Sequence, residues 1–127
     1  MIQRVYIDTS VVGGMYDIEF DLFTKVFFDK VFRGEMTLII SDLLEEELIY
    51  APAAITTFFK SLPTDRLEFV KLTKDSIELA EQYIAEKVVG ETSRADCRHI
   101  AITTVSKADV LVSWNFKPIV NLKRIRG

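Results

Sequence analysis

The sequence predicts a single α/β domain, a parallel β-sheet flanked by helices on both faces. Two observations carry this reading. β-prone apolar runs alternate with stretches of helical periodicity along the chain, the pattern of strands joined by helical crossovers. The 127 residues are 49% hydrophobic and 28% charged, enough apolar material for one core and too little length for two. With 5 Gly and 3 Pro, collagen-like and low-complexity chains are excluded.

Each element has a local warrant. Arg4 to Ile7 (RVYI) reads as a strand ending at Asp8, and Gly13-Gly14 breaks the chain soon after. From Asp17 to Arg33 the residues Phe20, Phe23, Phe27 and Val31 step along one helix face, and Gly34 follows as a stop. Phe28 joins the other phenylalanines as expected core. Met36 to Ile40 is a buried strand, after which Ser41-Asp42 supplies an N-cap for a helix to about Tyr50. Pro52 permits a helix over Ala53 to Lys60, closed by Pro63, and Leu67 to Leu72 is the third strand. Thr73 caps a helix with face Ile77, Ala80, Ile84 and Val88, ending near Gly90. Ser93 caps another, with Cys97, Ile100, Ala101, Thr104 and Ala108 on one side. Asp109 to Ser113 is the fourth strand.

Several chemistries are excluded by composition. One Cys (Cys97) rules out a disulfide framework, and one His (His99) rules out histidine-rich metal centres. His99, beside Arg98, is expected at the surface or bonded locally. No apolar stretch approaches the ~20 residues of a membrane span, and MIQRVYIDTS runs straight into a strand. A cytoplasmic protein without signal peptide or membrane contact is therefore expected. Net charge is −3, from 16 Lys+Arg against 19 Asp+Glu, so binding a polyanion needs a local cause. Lys117, Lys123, Arg124 and Arg126 form a basic tail, either solvated or in contact with phosphate.

In open parallel sheets, ligands collect beyond the carboxyl ends of the strands. Asp8, Thr9 and Ser10 follow the first strand, Glu45, Glu46 and Glu47 lie after the second, and Ser113 and Asn115 end the fourth. Asp8 could close a turn, but an acid beyond a central strand is costly without a partner. On a wheel of roughly 100° per residue, Glu47 falls inside the apolar arc of Leu43, Leu44, Leu48 and Ala51, with Glu46 opposite and Glu45 marginal. Asp96 is the fourth residue of an S-x-x-D capping box with Ser93, so capping and function are both open. Asn115 suits a turn as well as a site. Three carboxylates and an amide make an all-oxygen donor set, which suits Mg²⁺ or Mn²⁺ and, through the metal, a phosphodiester.

Together YIDTSVVGG, ISDLLEEEL, SRADCRHIAI and ADVLVSWNF resemble the PIN domain, and among its members the VapC-like toxin ribonucleases. The likeness covers nearly the whole of residues 1–127. It implies metal-dependent RNA cleavage, with Asp8, Glu47 and Asp96 as metal-holding acids and Mg²⁺ or Mn²⁺ as cofactor. Asn115 falls at the last acidic position, Ser113 at the hydroxyl position, and Thr9 and Ser10 beside the first acid. The implied partners are an RNA substrate, a small antitoxin protein and a second copy in a homodimer. Two departures are visible. Asn115 replaces an aspartate, and similar chains carry His at the position of Pro118 and continue past Gly127, which implies a missing final edge strand or a short member. The alternative is a PIN-like module that binds RNA or protein without cutting.

Overall fold

In a computed structural model, which describes residues 2–86 and 94–115, four strands form one parallel sheet. They are β1 (Gln3–Ile7), β2 (Met36–Ser41), β3 (Leu67–Val70) and β4 (Val110–Val112), in the spatial order β3-β2-β1-β4. Val5 of β1 lies between Leu38 of β2 and Val110 of β4. The chain builds outward from β1 to β2 and β3, then returns to lay β4 on the other side of β1. That reversal is a topological switch point, and in open parallel sheets the ligand crevice lies there, beyond the carboxyl ends of β1 and β4.

Among the described residues six α-helices accompany the strands: α1 (Thr9–Gly13), α2 (Asp21–Phe32), α3 (Asp42–Leu48), α4 (Ala53–Lys60), α5 (Lys74–Ala85) and α6 (Arg94–Val105). Strand side chains alternate between faces, and the core divides accordingly. Val5, Ile7, Leu38 and Ile40 pack with Val11, Val12, Phe28, Val31 and Leu48 under α1, α2 and α4. Tyr6 and Ile39 point the other way, against Ile102 of α6. Behind α6, Cys97, Ile100 and Ala101 pack on Ala80 and Tyr83 of α5. Among the described residues no helix is long and apolar enough to cross a membrane.

The element order expected from the sequence holds, with four corrections. The helix expected from Asp17 begins only at Asp21, because Asp17 makes a turn: its Oδ1 accepts from the Glu19 amide at 2.9 Å and its carbonyl from the Phe20 amide at 3.0 Å. Phe23 is not core. It is 67% exposed, and Thr24 occupies the inward position with Phe28 and Val31. The reason lies far away in sequence: Thr24 Oγ1 accepts from the Trp114 indole at 3.0 Å and donates to the Phe20 carbonyl at 2.7 Å. The short α1, five residues directly after Asp8, has too few turns to show a period and was not anticipated. The third strand stops at Val70, two residues early; beyond it the Leu72 amide donates to Asp42 Oδ1 at 2.8 Å instead of extending the sheet. Expectations at Val88, Gly90, Ser93 and Pro118, and for the basic residues from Lys117 onward, lie outside the described residues.

Two side chains lock the ends of this sheet. Arg4 donates to both oxygens of Glu68 in β3, at 3.2 and 2.5 Å, and to the Ser106 and Lys107 carbonyls at 3.1 and 2.9 Å. It thereby fixes the turn into β4, where Lys107 adopts a positive φ of 57°. At the opposite end Trp114 stacks flat on Phe20, with centroids 5.7 Å apart. Its approach requires Gly14, because a Cβ there would stand 2.6 Å from Trp114 Nε1 and closer still to Thr24 Oγ1.

Gly14→Ala should therefore push Trp114 off α2 and cost about 1–3 kcal/mol of stability. Trp114 is the chain's sole tryptophan, so urea unfolding followed by its fluorescence reads both effects. An unchanged emission and midpoint would contradict the packing described.

Candidate active site

Asp8 lies at this switch point, beyond the paired ends of β1 and β4. Its carboxylate is 1% exposed and sits one residue beyond β1, where it also caps α1. Oδ1 accepts from the Ser10 amide at 3.1 Å and from the Ser10 hydroxyl at 2.5 Å. Oδ2 accepts from the Ser113 hydroxyl at 2.5 Å, across from the end of β4. Both hydroxyl protons are thus spent on Asp8, and each serine oxygen accepts a backbone amide: Trp114 on Ser10 at 3.0 Å, Asn115 on Ser113 at 3.1 Å. Burial pushes the Asp8 carboxyl above its usual pKa. The hydrogen bonds from Ser10 and Ser113 oppose this, and the negative charge of Asp96 adds to it.

Glu47 lies in α3 on the side the wheel placed it, half-buried, while Glu45 and Glu46 are exposed. Its Oε1 accepts from the Thr9 hydroxyl at 2.5 Å and meets His99 Nε2 at 2.7 Å. Burial raises the Glu47 carboxyl, but the hydrogen bonds to His99 and Thr9 outweigh it and leave the pKa below the usual value. Asp8 and Glu47 are therefore shifted in opposite directions: burial prevails at Asp8, and the hydrogen bonds prevail at the less buried Glu47.

His99 is the residue sequence reasoning misplaced. It is 2% exposed, between Glu47 on one side and Tyr6 on the other, with Nδ1 at 2.5 Å from the Tyr6 hydroxyl. Tyr6 in turn lies 2.8 Å from Ser41 Oγ, the N-cap of α3. An available signal was the spacing Asp96–His99: three residues along a helix share a face, so an inward Asp96 brings His99 inward too. Neighbouring Cys97 is buried against α5, and burial raises its thiol pKa, which keeps it unreactive.

Asp96 occupies the first turn of α6, half-buried, and acts electrostatically on Asp8. Asn115 is exposed at the rim. Among the described residues no three His, Cys, Asp or Glu side chains come near enough together to close around one ion. The donor chemistry still fits a hard divalent cation. Mg²⁺ commonly takes one or two carboxylates and keeps water on its other positions, and Asp8 and Asp96 are two repelling carboxylates beside the crevice. Both hydrogen bonds to Glu47 fall on Oε1, so Oε2 accepts none among the described residues.

No protein-family model matches the sequence, and none of the curated proteins does. Solved structures do match in shape. VapC20 of Mycobacterium tuberculosis, a sarcin–ricin loop cleaving toxin, aligns with a TM-score of 0.66 at 15% identity, over 89% of this chain and 91% of that one. VapBC2 from Rickettsia felis, bound to a DNA fragment from its promoter, aligns with a TM-score of 0.62 at 13% identity, over 88% and 99%. The chain has the VapC-like PIN-domain fold.

The two shifted carboxyls have opposite consequences for stability. Ionised Asp8 is worse off folded than unfolded, a cost that is full at neutral pH and fades as pH falls through its raised pKa. Ionised Glu47 is better off folded, a gain present above the ordinary carboxylate value and lost as pH falls through its depressed pKa. Asp8→Asn should therefore be more stable than wild type at neutral pH, and Glu47→Gln less stable, with both differences shrinking in acid. Urea melts at neutral and acidic pH measure this. An Asp8→Asn protein less stable than wild type at neutral pH would refute the account of Asp8.

Proposed function

We propose that this chain is a metal-dependent endoribonuclease that hydrolyses RNA phosphodiester bonds, the toxin component of a toxin–antitoxin pair. The observation that carries this reading is Asp8. A carboxylate buried at the β1–β4 crevice, tied down by two serines and repelled by Asp96, costs stability. Such a cost is characteristic of a functional site. The VapC-like fold supports the same reading, since one structural neighbour is a toxin that cleaves the sarcin–ricin loop.

Asp8 and Asp96 would hold Mg²⁺ or Mn²⁺ directly, and Glu47 would act through Oε2 or an intervening water. A cation bound there supplies positive charge for the phosphate and lowers the pKa of a water. Ser10 and Ser113 keep the Asp8 carboxylate in one orientation, and Thr9 does the same for Glu47. Asn115, at the rim, would orient water or a substrate oxygen as a neutral donor and acceptor.

The partners follow from charge and exposed surface. A net charge of −3 gives RNA no general attraction, so the cation between Asp8 and Asp96 would provide the local one. An antitoxin segment would cover the crevice and present Arg or Lys to the same carboxylates. Ile18, Leu22, Phe23 and Val26 are all more than half exposed around α2, which supports a protein partner, an antitoxin or a second copy in a homodimer. Asn115 in place of an acid favours the second reading, a PIN-like module that binds without cutting.

A metal titration of RNA cleavage separates the two. Asp8→Asn and Asp96→Asn should each abolish detectable cleavage, roughly several kcal/mol of transition-state stabilisation. Asn115→Ala should cost less, because water can replace an exposed amide. Asn115→Asp should lower the Mg²⁺ concentration needed for half-maximal rate. Equal cleavage by wild type and Asp8→Asn would leave the binding module as the surviving reading.

A further inference from the structure

We propose that His99 is a positioning residue for Glu47, fixed as its Nε2–H tautomer by a buried hydrogen-bond relay from the start of α3 through Ser41 and Tyr6. The inference builds on the nuclease reading but concerns a residue outside the acidic set. Its basis is a chain of short contacts. The Leu44 amide lies 3.1 Å from Ser41 Oγ, Ser41 Oγ 2.8 Å from the Tyr6 hydroxyl, Tyr6 2.5 Å from His99 Nδ1, and His99 Nε2 2.7 Å from Glu47 Oε1.

Proton counting sets the direction. The Leu44 N–H must donate to Ser41 Oγ, since an amide has nothing else to offer. Ser41 then gives its own proton to Tyr6, and Tyr6 gives its proton to His99 Nδ1. Nδ1 is left as an acceptor, so the ring's proton sits on Nε2 and points at Glu47. Each hydrogen in the relay has one acceptor. Run the other way, with Nδ1–H donating to Tyr6 and Tyr6 to Ser41, the buried Ser41 proton has no acceptor among the described residues. In a neutral ring, the Nε2 lone pair would also face a carboxylate oxygen. Buried polar groups are rarely left in that condition. Burial raises the Tyr6 hydroxyl well above its ordinary pKa, so it keeps the proton it donates.

The consequence falls on Glu47. His99 and Thr9 converge on one oxygen and leave Oε2 as the oxygen available to a ligand or its water. His99 has both nitrogens engaged, so it orients a ligand instead of serving as one. Outer partners of this kind typically change affinity or activity by 10–100-fold when removed.

The test uses the full chain, whose single His gives an unambiguous pair of imidazole nitrogen signals. In ¹⁵N-labelled wild type, Nε2 should carry the proton and Nδ1 should not. Tyr6→Phe removes the donor to Nδ1 and should yield a mixture of tautomers. With a fluorescent stem–loop RNA and Mg²⁺, Tyr6→Phe and His99→Leu should each lower kcat about tenfold or more, with KM for RNA unchanged. His99→Gln, whose amide can still donate to Glu47, should retain more activity than His99→Leu. An Nδ1–H ring in wild type overturns the proposal, as does full kcat in a cooperatively melting His99→Leu protein. If wild type shows the expected tautomer and Tyr6→Phe scrambles it, yet no RNA is cut, the nuclease reading fails and the orientation of Glu47 stands.

Discussion

Everything at the carboxyl end of this sheet depends on one buried anion. Asp8 directly follows β1, caps α1 through the Ser10 amide, and accepts the Ser113 hydroxyl from beyond β4. A charge with so little water must be surrounded by donors, and the donors it recruits come from both sides of the switch point. Ser113 and Ser10 are then held in turn by the Asn115 and Trp114 amides. Trp114 anchors on Thr24 and Phe20 of the opposite layer. Docking of β4 beside β1 and formation of the site are therefore the same event.

The neighbouring carboxylate answers the same constraint differently. Glu47 is less buried and has two strong donors on one oxygen, so its charge is favoured where that of Asp8 is opposed. A pair of acids whose surroundings push them apart is how a fold assigns distinct roles to similar groups. Here Thr9 and Ser10, consecutive in sequence, serve Glu47 and Asp8 respectively, because the first turn of α1 points one hydroxyl toward α3 and the other toward β4.

Most of the architecture was legible because period and punctuation agree. β2, α4 and α5 are bounded by residues that say so: Ser41, Pro52 and Thr73, the last closing a capping box with Ser76. Glu47 was legible because an acid inside an apolar arc is an exception that asks for a partner. What escaped was long-range. Thr24 takes the inward position in place of Phe23 only because an indole ninety residues away needs an acceptor. His99 went unread because the Tyr6 hydroxyl and Glu47 carboxylate that satisfy its ring arrive from β1 and α3. Nor does local composition reveal that Arg4 reaches over to Glu68.

Charge arithmetic connects the fold to the proposed reaction. Asp96 sharpens the penalty on Asp8, so the crevice is most stable when something positive enters it. Under the proposed reading two kinds of cation meet that demand, a divalent metal that turns the site on and a basic side chain of a partner that turns it off. Each relieves the same repulsion, so they compete for it. Inhibition then needs no change in the fold, only a guanidinium or ammonium delivered by a segment seated elsewhere, and the exposed apolar residues around α2 offer such a seat. The neutral Asn115 tilts this competition. With one negative charge fewer at the rim, a metal gains less from the pocket, while a tethered cation still draws on the binding energy of the rest of its chain.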